Sequence, residues 1–154
     1  MRELFMIPGP TEVASSVIQA MCRPAVSHGD PLFHEVQDRA SEQVARIIGT
    51  TGQVVLLNAS GRGGIEAAIS TALEPGEKIL IVNNGVFGNM LREISRRCRL
   101  DVVEHTSGWG KPLDLDRIEE AAYAPGVRAV AVVHSETSSG VLNPIREIAG
   151  IARK

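Results

Sequence analysis

Aromatic side chains make up only 3% of this chain, and it has two cysteines in 154 residues. Cys22 and Cys98 are too few for a disulfide framework, and no C-x-x-C or His/Cys ligand spacing points to a metal. A reduced, cytoplasmic setting is the expectation. Neither sign of charge dominates, with 16 basic residues against 18 acidic ones, so neither a nucleic-acid surface nor a polybasic membrane patch is expected. No apolar run approaches a membrane span. Leu4 to Ile7 is too short for a secretory signal core and has Glu3 in front of it. Internal repeats and low-complexity stretches are missing too. What remains is ordinary globular material, 44% hydrophobic and 22% charged, of a length that suits one sizeable core.

Residues 1–12 read as an extended arm, because Pro8-Gly9-Pro10-Thr11 forbids a helix. Val13 to Met21 reads as a short helix that Arg23-Pro24 ends. Ser27-His28-Gly29-Asp30-Pro31 is a turn, with Asp30 suited to an N-cap and Pro31 to the first helical position. Phe33, Val36, Ala40, Val44, Ile47 and Ile48 then fall on one helical face, and Gly49 supplies a stop. From there strands alternate with helices. Strands are expected at 53–57, 78–82, 100–104 and 127–133, with helices over 65–73, from about Phe87 to Cys98, from near Asp114, and from Pro144. Four strands alternating with helices predict an α/β fold with a largely parallel sheet. Ligands of such sheets sit at the carboxyl ends of the strands. The polar loops here all follow such ends.

The chain is organised around Asn58-Ala59-Ser60-Gly61-Arg62-Gly63-Gly64-Ile65-Glu66-Ala67-Ala68. A glycine-rich turn between a buried strand and a helix offers free N–H groups and a positive dipole end, which suits an anion such as phosphate. It is not a P-loop, and Glu66 stands where a dinucleotide fingerprint needs its third glycine. The residues leave two readings open: a packing turn, or an anion site to which Ser60 adds a hydroxyl and Arg62 a permanent charge. Phe87, at a strand exit, is either a core residue or a flat surface for a ring. His134-Ser135-Glu136-Thr137-Ser138-Ser139-Gly140 either orients a polar ligand or satisfies its own backbone.

Taken in order, these stretches resemble the class V aminotransferases, pyridoxal-phosphate (PLP) enzymes of fold type I, and within them the alanine–glyoxylate and serine–pyruvate branch. Five motifs carry the resemblance: Pro8-Gly9-Pro10-Thr11; Ser27-His28-Gly29 with Phe33; the stretch from Ala59 to Ala68; Asn84-Gly85-Val86-Phe87-Gly88; and His134 to Val141. Each alone is weak, but five in order over nearly the whole chain are specific. The resemblance implies roles. Ser60, Gly61 and Arg62 would hold the cofactor phosphate. Phe87 would stack on the pyridine ring, Thr137 would hydrogen-bond near the phenolic oxygen, and Gly9 would lie by the substrate. Position 62 usually carries another residue in the family, so Arg62 would either strengthen phosphate binding or reach a substrate carboxylate.

The resemblance also implies what is missing. The family's Schiff-base lysine, the aspartate at the ring nitrogen and the arginine at the substrate carboxylate fall beyond the stretch this chain matches. Lys78, Lys111 and Lys154 match none of them. The implied strand order separates 53–57 from the other three strands. The chain is therefore expected to be the amino-terminal part of the fold type I large domain, arm 1–12 followed by residues 13–154. No catalytic residue is expected in it and no metal site. It would be inactive alone. The parent would move an amino group from a small amino acid of the alanine or serine type to a 2-oxo acid such as glyoxylate or pyruvate. It would work as a homodimer, or with a companion chain. The competing reading is a catalytically inactive truncated α/β module that binds a phosphate-bearing ligand or a partner chain.

Overall fold

A computed structural model describes residues 5–153; Lys154 and the first four residues of the arm lie outside the described residues. The chain divides into two compact units, one ending at Asn58 and the other beginning at Ala59.

In the first unit, residues 5–12 are exposed and form no helix or strand. Helix α1 spans Ser15–Met21 and helix α2 spans Pro31–Ile48. The start of α2 is set locally: the Asp30 side chain accepts from the Leu32 N–H at 2.8 Å, and Pro31 takes the first position, where no N–H is needed. Its end is set by Gly49, whose φ of 69° is cheap only for glycine. Neither helix contains a buried residue.

The run 53–57 corrects an expectation. It was expected as a buried strand, but it joins no sheet, and Val55, Leu56 and Leu57 are 68%, 46% and 52% exposed. A strand needs a neighbour to take its N–H and C=O groups, and this run pairs with none among the described residues.

The second unit holds the sheet. Helix α3 (Gly61–Ala72) leads into strand β1 (Lys78–Asn83), then α4 (Val86–Arg97), β2 (Asp101–Thr106), α5 (Leu115–Ala122) and β3 (Val127–Val132). A two-residue hairpin follows, β4 (Ser135–Glu136) and β5 (Val141–Leu142), antiparallel, and then α6 (Ile145–Ala152). The main sheet has three strands in the order β2-β1-β3, all parallel. The expected count of four therefore falls by one, through the loss of 53–57.

Central strand β1 is covered on both faces, as parallel strands are. Ile79 and Ile81 pack with Ile69 of α3, with Leu73 just after that helix, and with Leu91 and Ile94 of α4. Leu80 and Val82 pack with Ile118 of α5 and Ile148 and Ile151 of α6. The crossover from β1 to β2 uses α4 on the first face. The one from β2 to β3 runs back across β1 and uses α5 on the second. Opposite directions on opposite faces give both crossovers the same hand, as winding rules require. Each fully buried Leu or Ile contributes about 1.5–3 kcal/mol.

This winding positions the site. Helix α3 returns to β1 through a short connection, so it runs against the strand and its amino end lies at the strand's carboxyl end. Helix α4 begins at that same end, directly after β1.

Candidate cofactor site

Ser60 is the N-cap of α3, with extended backbone (φ −70°, ψ 165°), and its side chain makes no capping bond. The first intrahelical bond is Gly64 N–H to Ser60 C=O at 3.1 Å. The glycines expected in a loop before residue 65 therefore form the first turn of the helix. This refines the anion argument: the N–H groups of Gly61, Arg62 and Gly63 are the ones a helix start leaves without intrahelical partners. Gly63 is needed for space, because a Cβ there would lie 2.9 Å from Ala59 Cβ. Ser60, Gly61 and Arg62 are exposed. Among the described residues Arg62 has no ion-pair partner. A hydroxyl, three convergent N–H groups, a dipole end and a free guanidinium make a donor set that fits a phosphate dianion.

Phe87 is half-buried in the first turn of α4, and Thr137 is exposed in the tip of the β4–β5 hairpin. The structure brings these two together. Phe87 N–H donates to Glu136 Oε2 at 3.0 Å, and Glu136 is the chain neighbour of Thr137. The loops after β1 and β3 part to opposite faces of the sheet, α4 on one and α6 on the other. That divergence between adjacent strands is where open α/β sheets bind ligands. Gly9 belongs to the first unit, is exposed, and has open space where a Cβ would stand.

Behind these residues lies a polar network that the sequence reading did not single out. Asn83, at the end of β1, donates to Glu104 Oε1 at 2.7 Å and to Asn89 Oδ1 at 3.0 Å, and accepts from Gly85 N–H at 3.2 Å. Asn84 and Asn143 exchange amide bonds at 2.8 and 3.2 Å, and Asn143 also donates to Val133 C=O at 2.7 Å. Together these tie the exits of β1 and β3. Glu136 is 0% exposed and accepts from α4. The sequence offers only an indirect signal for it: Gly85 has no side chain to cap α4, which leaves room for an acceptor from elsewhere.

Burial pushes the Glu104 carboxyl up, but hydrogen bonds from Asn83 and Arg92 and the Arg92 charge outweigh it, and the net effect holds Glu104 below its ordinary range. A carboxylate lowered in the folded state adds stability above its unfolded pKa of about 4.3 and loses it as pH falls through the lower folded value. Urea titrations carried down through that acid window are expected to show a smaller pH slope in Glu104→Gln than in the native chain. Equal slopes would remove Glu104 from the account.

The fold and donor set define a class: an open α/β unit whose strand ends carry donors suited to a phosphate group. Within that class, residues 11–154 match the family Aminotransferase class-V, and the chain belongs to this family. Family membership implies pyridoxal phosphate as the cofactor. The chain is 35% identical over 148 residues to an L-aspartate–glyoxylate aminotransferase of Paracoccus denitrificans, covering 94% of this chain and 37% of that protein. It is 34% identical over 145 residues to a soluble hydrogenase 42 kDa subunit of Anabaena cylindrica, covering 92% and 38%. The crystal structure of ureidoglycine–glyoxylate aminotransferase from Bacillus subtilis superposes with a TM-score of 0.91 at 32% identity, covering 96% of this chain and 38% of that one. The chain thus spans less than two fifths of the length of these relatives. Among the described residues no helix is long and apolar enough to cross a membrane.

Proposed function

We propose that this chain supplies the phosphate-holding and ring-holding part of a PLP-dependent aminotransferase acting between a small amino acid and a 2-oxo acid. The observation that carries the reading is the open amino end of α3, with Ser60, Gly61 and Arg62, at the same end of the sheet as Phe87 and Thr137. Relatives named as serine–glyoxylate and alanine–glyoxylate aminotransferases support an alanine- or serine-type donor and a 2-oxo acid acceptor such as glyoxylate or pyruvate, while another relative is named for L-aspartate as donor. The relatives' names differ in kind, so the reading rests on the site and the family rather than on any one of them. Residues 13–154 serve as part of the cofactor-binding domain, with 1–12 as the arm that brings Gly9 to the substrate. The working enzyme is a homodimer or is completed by a companion chain, and it acts in the cytoplasm.

The bound cofactor supplies an electron sink for the amino acid's Cα. The residues of this chain hold and orient it. Ser60 Oγ–H and the N–H groups of Gly61 and Arg62 donate to phosphate oxygens. The Phe87 ring offers its face to the pyridine. The Thr137 hydroxyl donates toward the phenolic oxygen. None of these residues moves a proton at Cα, and we infer that this chain alone does not catalyse.

Titration of PLP and inorganic phosphate tests the assignment. Ser60→Ala is expected to weaken both ligands, by roughly 1.5–3 kcal/mol for a hydrogen bond to a charged group. Phe87→Ala is expected to weaken PLP alone, by about 0.5–1.5 kcal/mol beyond lost area. If Phe87→Ala weakens both equally, or Ser60→Ala weakens neither, the glycines serve packing and the truncated-module reading stands in place of the cofactor site.

A further inference from the structure

The amino ends of α3 and α4 both lie at the carboxyl side of the sheet, and they differ. Helix α3 is open. Helix α4 is filled: Val86 N–H donates to Ser138 Oγ at 2.9 Å, and Phe87 and Gly88 N–H donate to Glu136 Oε2 at 3.0 and 3.1 Å. The other carboxylate oxygen accepts from Ser138 N–H at 3.2 Å and from the Ser138 hydroxyl. Glu136 is 0% exposed, and among the described residues no cation pairs with it. Its partners are donors and the helix dipole, the environment that suits a buried carboxylate. Gly85 makes the fit possible, since a Cβ there would overlap the Glu136 side chain and stand 2.6 Å from Ser138 Oγ.

We propose that Glu136 is the positioning residue of the cofactor site, which deepens the reading above and rests on it. Its carboxylate ties the turn that carries Phe87 to the hairpin that carries Thr137, so the ring-stacking face and the hydroxyl keep one spacing. It also closes the amino end of α4 to anions. A phosphate placed there would meet a buried negative charge and no free N–H, whereas at α3 it meets only donors. Glu136 thereby sets which way round the ligand lies, phosphate to α3 and ring to α4.

The test uses the full chain labelled with 15N, amide exchange, and titration with inorganic phosphate and with pyridoxine 5′-phosphate, whose alcohol cannot condense with lysine. Glu136→Gln keeps the shape but removes the charge and leaves one acceptor oxygen where there were two, so an NH2 faces either the Ser138 N–H or those of Phe87 and Gly88. Exchange at Phe87 and Gly88 is expected to rise roughly tenfold to hundredfold relative to the β1 amides, in line with loss of a hydrogen bond to a charged group. Affinity for pyridoxine 5′-phosphate is expected to fall about tenfold while that for inorganic phosphate holds within about twofold. Ser138→Ala, which leaves the carboxylate in place, is expected to free the Val86 amide and to lower pyridoxine 5′-phosphate affinity selectively by a smaller factor. If Glu136→Gln does not fold, Ser138→Ala decides by the same criteria. A residue that only stabilises the fold would speed the β1 amides equally and weaken both ligands in parallel, and that result overturns the proposal. So does unchanged exchange at Phe87 and Gly88. A native chain that binds neither ligand overturns the cofactor-site reading itself, and the Glu136 role with it. A native chain that binds pyridoxine 5′-phosphate selectively, with variants that match it, overturns only the role of Glu136.

Discussion

Replacing Gly88 by alanine is expected to destabilise the second unit by about 3–5 kcal/mol, from overpacking together with disrupted buried hydrogen bonds. A Cβ at this position would overlap Asn83 Oδ1 and stand 2.8 Å from Asn83 Cγ and 2.9 Å from its Cα. Asn83 cannot move aside. It is 4% exposed, its amide is held by Glu104 and Asn89, and one of the close atoms is backbone of the central strand. Alanine is the better helix former by about 1 kcal/mol, but that gain is the smaller term. Urea unfolding followed by circular dichroism measures the difference. A loss below about 1 kcal/mol would mean that the close approach of α4 to β1 is not as described. The same variant is expected to weaken PLP binding, because Gly88 follows Phe87 and shares its hold on Glu136.

The chain by itself is expected to transfer no amino group between alanine or serine and glyoxylate or pyruvate, above the rate of free PLP. Enzymes of ordinary power accelerate their reactions at least about a millionfold, so the expected loss is of that order. The reason is the placement of lysine, which in this chemistry carries the cofactor and moves a proton. Lys78 opens β1 at the amino end of the sheet, where its Nζ donates to Pro125 C=O at 3.1 Å and lies 3.8 Å from Asp101. That is the opposite end from Ser60, Phe87 and Thr137. Lys111 is exposed in a turn closed by its own N–H to Gly108 C=O at 2.9 Å. Incubation with PLP, borohydride trapping and peptide mapping should give only scattered, substoichiometric label. Stoichiometric label at Lys78 or Lys111, or measurable transamination, would refute the assignment of this chain as a holding part without a catalyst.

Much of the fold was legible because its signals are local. Asp30-Pro31 and Gly49 bound α2 by capping and by a left-handed φ, and Asp114 caps α5 by accepting from Arg117 N–H at 3.2 Å. The runs at 78–82 and 127–133 read as strands because residues 79–82 and 129–133 are continuously apolar, as parallel strands with covered faces tend to be. The order of polar loops at strand exits already puts Phe87 and Thr137 at one end of the sheet.

Three features were decided by tertiary structure. The run 53–57 has a strand's composition but no strand's structure, since composition supplies side chains and only a neighbouring strand supplies hydrogen-bond partners. The glycines after Ser60 read as a turn because glycine disfavours helix interiors, yet Ile65, Ile69 and Leu73 pack against β1 and α4 and draw the helix back to Gly61. Local propensity sets element types wherever each residue's partners lie within a turn or two. Glu136 shows the other case. Its sequence neighbours suggest a hydroxyl-rich loop, but its partners at Phe87 and Gly88 lie 49 and 48 residues away, and only tertiary structure could bring that carboxylate to a helix that has no cap of its own.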